Sequence, residues 1–337
     1  MKAVGYNSPG PIDRADALVD LTQDVPEARG HDLLVKVLAI SVNPVDYKIR
    51  MSRAADDGIP VVLGWDAVGE AVSAGEKASG FQPGDRVWYA GSINRPGTNS
   101  EYHLVDARIV SKAPASVSPS DAAALPLTAL TAYEMLWDRL KVDVPVPGAA
   151  EAAVIIGGAG GVGSITIQLL RALTSLTVIA TASRPETKAW VKQLGAHHVI
   201  DHSKPLAPQV EELDVGAPGF VFSTNESASY AQDAADMIAP QGRFGLIDDP
   251  EHFDIMPFKA KSVSIHWELM FTRSLFQTTD MKRQSDILQH VAELLDAGQI
   301  RSTTTESLGN ISAGNLIKAH QMLESGKARG KIVLDGF

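Results

Sequence analysis

Residues 154–165 read VIIGGAGGVGSI, with glycine at 157, 158, 160, 161 and 163. Glycine costs a folding chain conformational entropy and leaves no side chain to fill space, so five within seven residues need a physical reason. The apolar run AVII before them reads as a strand, and SITIQLLRAL after them reads as a helix. In that setting Gly158-x-Gly160-x-x-Gly163 has a mechanical meaning. Gly158 permits a tight turn, Gly160 lets the backbone approach a pyrophosphate, and Gly163 lets the helix pack on its sheet. The first helical turn, at Gly161 and Val162, offers N–H groups that no intrahelical carbonyl satisfies, and an anion can take them. A tight turn that holds no ligand is the competing reading.

The surrounding pattern supports the first reading. From Ala153 to about Leu269, strand-like runs (AVIIGG, LTVIATA, HHVID, GFVFST, GRFGLI, SVSIHWEL) alternate with helical segments. In TKAWVKQLG, Trp190, Val191 and Leu194 share a helical face and Gly195 is the stop. Such alternation predicts an α/β fold with a doubly wound parallel sheet, the Rossmann arrangement. The first third differs. DLLVKVLAISVNP, GDRVWYAG and SEYHLVDARIV are short strands broken by Gly and Pro, which predicts a compact, mainly β domain. After residue 270 come two helical patterns and a closing strand, GKIVLDGF, expected to pack back on the first domain. The expected boundaries are 1–125 for the β domain, 126–269 for the nucleotide domain and 270–337 for the returning part.

The end of the second strand bears on which dinucleotide is held. An NAD site usually places an acid about 20 residues beyond the glycines, on the ribose 2′-hydroxyl. Here ATASRPE puts Ala182, Ser183 and Arg184 at that place, with Glu186 only after a proline. A hydroxyl and a guanidinium suit a 2′-phosphate, so NADPH is the expected cofactor; a solvated loop arginine is the alternative. Ser223, Thr224 and Asn225 follow the fourth strand, at the carboxyl edge where a dinucleotide lies.

Composition excludes several other classes. There is no cysteine, so disulfides, thiol nucleophiles and cysteine-bound metals are impossible. A net charge of −10 argues against nucleic acid or an anionic membrane as the main partner. The first residues carry no signal-peptide core and no apolar run approaches a membrane span, so a cytoplasmic protein is expected.

Taken in order, SVNPVDYKIR, VLGWDAVGEA, GFQPGDRVWYAG, ALPLTALTAYEML, GGAGGVGSITIQL, LGAHHVIDH and GKARGKIVLDGF resemble the medium-chain dehydrogenase/reductase superfamily. The resemblance spans essentially the whole chain and is nearest to the quinone oxidoreductase branch and its zinc-type alcohol dehydrogenase-like group. It implies a GroES-like substrate domain split around the Rossmann domain, an active site in the cleft between them, and a homodimer paired through the last Rossmann strands. Zinc-dependent relatives have Gly-His-Glu where this chain has Gly64-Trp65-Asp66, and a cysteine where it has Asn43-Pro44-Val45-Asp46. Their four-cysteine structural lobe is missing as well, so no metal is expected.

Relatives point the asparagine and aspartate of Asn-Pro-x-Asp at the nicotinamide, often with a tyrosine two positions later. That later position is Lys48 here, and Tyr47 stands one residue earlier. The segment reads as extended, where a one-residue shift turns the side chain to the opposite face. Asn43, Asp46 and Tyr47 are the catalytic candidates, with capping of the turn at Pro44 as the competing role of the first two. The resemblance also implies a nicotinamide-side contact for Thr131, and an adenosine-phosphate contact for His202 where relatives often carry tyrosine. Relatives place a lysine at the position of Thr187, where the nearest one here is Lys188. Trp65, Trp267, Met270 and Phe271 are candidates for an apolar acceptor slot, or else for core.

Without a metal, the expected reaction is hydride transfer from NADPH to a quinone or an α,β-unsaturated carbonyl. Two alternatives stay open: an enoyl-thioester reductase on the same scaffold, and an NADPH-binding sensor without turnover.

Overall fold

The computed structural model describes residues 1–337. The N-terminal strands are β1 (Lys2–Tyr6), β2 (Val19–Thr22), β3 (Asp32–Ser41), β4 (Val61–Val62), β5 (Ala67–Ala74), β6 (Arg86–Tyr89), β7 (Tyr102–Asp106) and β8 (Ser111–Lys112). Central strands are β9 (Ala150–Ile156), β10 (Thr177–Thr181), β11 (His198–Ile200), β12 (Pro218–Ser223), β13 (Arg243–Leu246) and β14 (Ser264–Trp267). Two more close the chain, β15 (Thr304–Asn310) and β16 (Lys331–Asp335). The α-helices are α1 (Pro44–Ser52), α2 (Pro119–Ala123), α3 (Pro126–Tyr133), α4 (Gly161–Leu173), α5 (Pro185–Gln193), α6 (Leu206–Glu212), α7 (Ala231–Met237), α8 (Thr272–Leu275), α9 (Arg283–Asp296) and α10 (Ala313–Glu324). None is long and apolar enough to cross a membrane.

These elements form two units, residues 1–130 with 271–337, and residues 131–270. In the first, seven strands make a sheet ordered β15-β16-β3-β5-β6-β8, with β7 also paired to β3. A smaller sheet, β2-β1-β4, completes it. Strand β3 pairs antiparallel with β5, β7 and β16, and its inner face is nearly continuous hydrophobe. Trp65, Trp88, Tyr6 and Tyr89 are among its largest fully buried side chains. The last strand, β16, thus lies beside β3, as expected of a returning tail.

The second unit has one six-stranded, all-parallel sheet ordered β11-β10-β9-β12-β13-β14. The order reverses between β10-β9 and β9-β12, which puts the topological switch point at the carboxyl end of β9. Apolar residues on both faces of the strands explain the continuous hydrophobic runs in the sequence. On one face Val154, Ile179, Val221 and Phe244 pack with Leu206, Val210, Ala234 and Ile238.

Arg50 fastens α1 to α10 within the first unit. Its guanidinium is buried, donates to the Gly10 carbonyl, pairs with Glu324 and lies 3.3 Å from His320 Nδ1. Burial, with the neighbouring Arg50 charge, pushes His320 down to about 3, so it serves as a neutral acceptor. A buried charge that loses its partner is costly, so Glu324→Ala should lower the unfolding free energy by about 3 kcal/mol. Urea unfolding measures this, and a loss below about 1 kcal/mol would mark the pair as no more than a surface ion pair.

Candidate functional site

Strand β9 ends at Ile156 and runs straight into the glycine turn. Gly157 takes φ +79°, and Gly160 caps α4 with extended backbone. A Cβ on Gly157 would sit 2.2 Å from Thr224 Oγ1 and 2.3 Å from Asn225 Oδ1. One on Gly158 would lie 2.9 Å from Ala180 Cβ, and one on Gly163 would lie 2.3 Å from the Gly157 carbonyl oxygen. The protein's own atoms therefore require those three glycines. Gly160 is different. A Cβ there meets nothing closer than the Gly157 oxygen at 3.5 Å, and its backbone angles are open to any residue. Its bareness leaves free space over the N-terminus of α4, where unpaired N–H groups and the helix dipole favour an anion. The turn is rigidly held. Gly157 N–H donates to Thr181 Oγ1 at 3.0 Å, and the Thr224 hydroxyl donates to the Ile156 carbonyl at 3.0 Å. These features fit the pyrophosphate of a dinucleotide.

Ser183, Arg184, Lys188 and His202 gather beyond the carboxyl ends of β10 and β11. Ser183 Oγ lies 3.1 Å from His202 Nε2. Arg184 leads into α5 and pairs with Glu186 at 3.3 Å, while Lys188 donates to Asp201 at 3.0 Å. Bonds from Ser203 and Lys188 hold the Asp201 carboxyl well below the usual carboxylate range. Burial lowers His202 below an ordinary histidine, which leaves it uncharged at neutral pH. Each cation here already has a carboxylate neighbour.

The first unit contains a polar centre sealed from solvent. Asp66 Oδ2 accepts from Ser41 Oγ at 2.8 Å, Asn43 Nδ2 at 2.6 Å and Lys331 Nζ at 3.3 Å. Its Oδ1 accepts the backbone N–H of Leu127 at 2.7 Å. Lys331 also donates to the Val42 carbonyl at 2.9 Å and to Asn43 Oδ1, so all three ammonium protons are used. Asn43 N–H donates to Asp46 Oδ2 at 2.8 Å, while Asp46 Oδ1 is buried without a partner. Burial pushes Asp46 up to about 7, against the opposing pull of the Asn43 N–H and of Lys331.

Residues 44–52 correct one expectation, because they form helix α1 and not an extended segment. Pro44 opens the helix and Asp46 caps the Asn43 N–H, a start signal stronger than the strand pattern preceding it. A one-residue shift on a helix rotates a side chain by about 100° and does not reverse its face. Tyr47 is half-buried on α1, while Asn43 and Asp46 are fully buried. Thr131 is buried in α3. Trp65 meets Phe271 edge to face at 6.1 Å and donates its indole N–H to the Ser92 carbonyl. In the other unit, Met270 is buried and Trp267 is 52% exposed beside Phe253. Sequence reasoning passed over Ser41 and Lys331 and saw in Asp66 only a replaced metal ligand. The available signal was a lone acid inside the apolar run VVLGWDAV and a lone base at the head of the run KIVL.

Zinc does not fit this centre. Trp65 offers an N–H and no lone pair, both Asp66 oxygens are engaged, and an ammonium already neutralises the carboxylate.

Two family models match the chain, the alcohol dehydrogenase GroES-like domain over residues 29–115 and the zinc-binding dehydrogenase domain over residues 194–334. A zinc-type alcohol dehydrogenase-like protein of Staphylococcus epidermidis is 38% identical, with 99% of each chain covered. The structure of a Rhizobium etli protein, assigned provisionally as a zinc-dependent alcohol dehydrogenase, is 58% identical. It superposes with a TM-score of 0.99 over 100% of this chain and 98% of that one. The quinone oxidoreductase of Coxiella burnetii is 26% identical, with a TM-score of 0.79 over 99% of this chain and 98% of that one.

Asp46 generates a pH prediction. Burial pushes its carboxyl up to about 7 in the folded protein, from an ordinary 3.8 in water. Between those limits the folded form holds a proton that the unfolded chain has released, so raising the pH through this window disfavours folding at this group. Asp46→Asn removes that contribution. Its stability relative to wild type should therefore rise as pH increases from about 4 to about 7, then level off. Urea midpoints across that range test it, and a constant difference would show that Asp46 is ionised throughout.

Proposed function

Given that this chain belongs to the medium-chain dehydrogenase/reductase superfamily, in its zinc-free quinone oxidoreductase-like branch, we propose that it is an NADPH-dependent reductase of quinones or α,β-unsaturated carbonyls. The observation that carries the reading is the bare Gly160 above the α4 N-terminus, at the switch point of a doubly wound sheet. When bound, NADPH supplies a hydride. The residues of the chain hold and orient. The α4 N-terminus takes the pyrophosphate, and Ser223, Thr224 and Asn225 flank the glycine turn.

NADPH is preferred to NADH because Ala182, Ser183 and Arg184 follow β10 directly, and none of the three is the carboxylate that would accept a ribose 2′-hydroxyl. Arg184 and Lys188 exchange Glu186 and Asp201 for the 2′-phosphate, beside Ser183 and His202. An electron-poor acceptor suits this chain because the buried Lys331 ammonium is spent on Asp66, Asn43 and the Val42 carbonyl and has no free proton for an alkoxide. Asn43 and Asp46 act by fixing α1, and Tyr47 presents the phenol that protonates the reduced acceptor. Strand β14 lies at the sheet edge with Trp267 and the following Leu269 exposed, which suits pairing with a second copy.

The purified protein should oxidise NADPH with small quinones or enones, leave ethanol untouched and keep its rate in EDTA. Stoichiometric zinc with activity lost on chelation would overturn the reading, as would preferred turnover of enoyl thioesters. NADPH binding without turnover on any acceptor would indicate a sensor. Arg184 is 39% exposed, so screening limits its contribution. Arg184→Ala should weaken NADPH about fivefold and NADH less than twofold, measured at one salt concentration. Equal affinity of the wild type for both cofactors would exclude the NADPH preference.

A further inference from the structure

Asp248 stands just beyond β13, at the carboxyl edge of the parallel sheet, and its carboxylate faces the turn that follows β12. Its Oδ2 accepts the backbone N–H of Ser227 at 2.8 Å, and its Oδ1 accepts the Ser227 hydroxyl. Ser227 Oγ also lies 2.9 Å from Ser223 Oγ, and both serines are completely buried. A hydroxyl has one proton, and the charge-assisted bond to the carboxylate claims that of Ser227. Ser223 then has its single proton for two acceptors, Ser227 Oγ and the Asn225 carbonyl at 3.2 Å, and shares it between them. The other end of the segment is tied to β9, where Thr224 N–H and Oγ1 donate to the Ile156 carbonyl at 3.1 and 3.0 Å.

Residues 223–227 therefore form a short loop anchored at both ends. Between the anchors Asn225 is exposed, and its Oδ1 lies against the vacant Cβ position of Gly157. Glu226, next in sequence, has φ +50°, a left-handed conformation that is unfavourable for a non-glycine residue and needs outside support. The two bonds from Asp248 to the adjacent residue supply that support.

We infer that Asp248 is a positioning residue for the dinucleotide, acting through Ser227 to hold the Asn225 amide over the glycine turn. The inference rests on the dinucleotide reading above and adds the residue that shapes its cradle. Asn225 contacts the sugar–diphosphate part that NADPH and NADH share, so the effect is blind to the 2′-phosphate.

The test is a double-mutant cycle on the full chain, reading NADPH and NADH dissociation constants and thermal midpoints for wild type, Asn225→Ala, Asp248→Ala and the double variant. Asp248→Ala should weaken both cofactors about tenfold, and in the Asn225→Ala background it should add less than twofold. Additive losses, or affinities within twofold of wild type when only the thermal midpoint falls, would overturn the proposal and leave Asp248 a structural cap. If Asp248→Ala does not fold, Ser227→Ala replaces it, with about threefold expected alone and no further loss beside Asn225→Ala. Additivity there overturns the proposal equally. Failure of the wild type to bind either cofactor would instead defeat the dinucleotide reading itself.

Discussion

Lys331 and Asp66 are both sealed from solvent, and neither charge would be tolerable there alone. Desolvation lowers the Lys331 ammonium below an ordinary lysine, while Asp66 and Asp46 pull it back up. Such a pair is retained only when geometry and further hydrogen bonds compensate for lost water, and here every proton and oxygen of the pair is used. The bonds join the end of β3, the residue before β5, the start of α3 and the first residue of β16. Lys331 and Asp66 are 265 positions apart, so the last strand is not an ornament on the first unit. It brings the cation without which Asp66 could not be buried. Helix α1 depends on the same centre, because Asn43 contributes its amide to Asp66 and Lys331 and its N–H to Asp46.

The second unit rests on different physics. Its parallel sheet is held by apolar packing on both faces, and its polar groups concentrate at one edge. There the chain leaves N–H groups at the α4 N-terminus without protein partners and keeps side chains away from them. The Asp66–Lys331 pair uses every one of its polar groups internally, whereas the glycine edge leaves backbone N–H groups open. In the proposed function the glycine edge holds the cofactor, and the Lys331 centre braces the first unit.

Local signals made the second unit legible. The glycine spacing, the strand–helix alternation and the stop at Gly195 (φ +106°) are properties of short stretches, and strands and helices lie where those signals put them. The polar centre was not legible for the opposite reason. A lysine in KIVLD looks like a surface-facing residue of an alternating strand, and nothing nearby announces a carboxylate hundreds of positions earlier. The segment after Asn43-Pro44 was misread as extended because proline suggested a turn, although proline is equally at home in the first turn of a helix. Asp248 escaped notice because its partner, Ser227, is an unremarkable residue of a polar turn that only the fold of the sheet brings beside β13.

Zinc stands in the names of the Staphylococcus epidermidis relative and of one matching family model, while Asn43 and Asp66 here are bonded to each other and to Lys331. The proposed chemistry is direct hydride transfer without metal assistance. NADPH deuterated at both C4 positions, incubated with the enzyme and a cyclic enone in EDTA, tests this most directly. Direct transfer predicts one deuterium at the β-carbon of the saturated ketone, by mass and NMR. Saturated ketone carrying no deuterium at that carbon, or product formed only when zinc is restored, would contradict it.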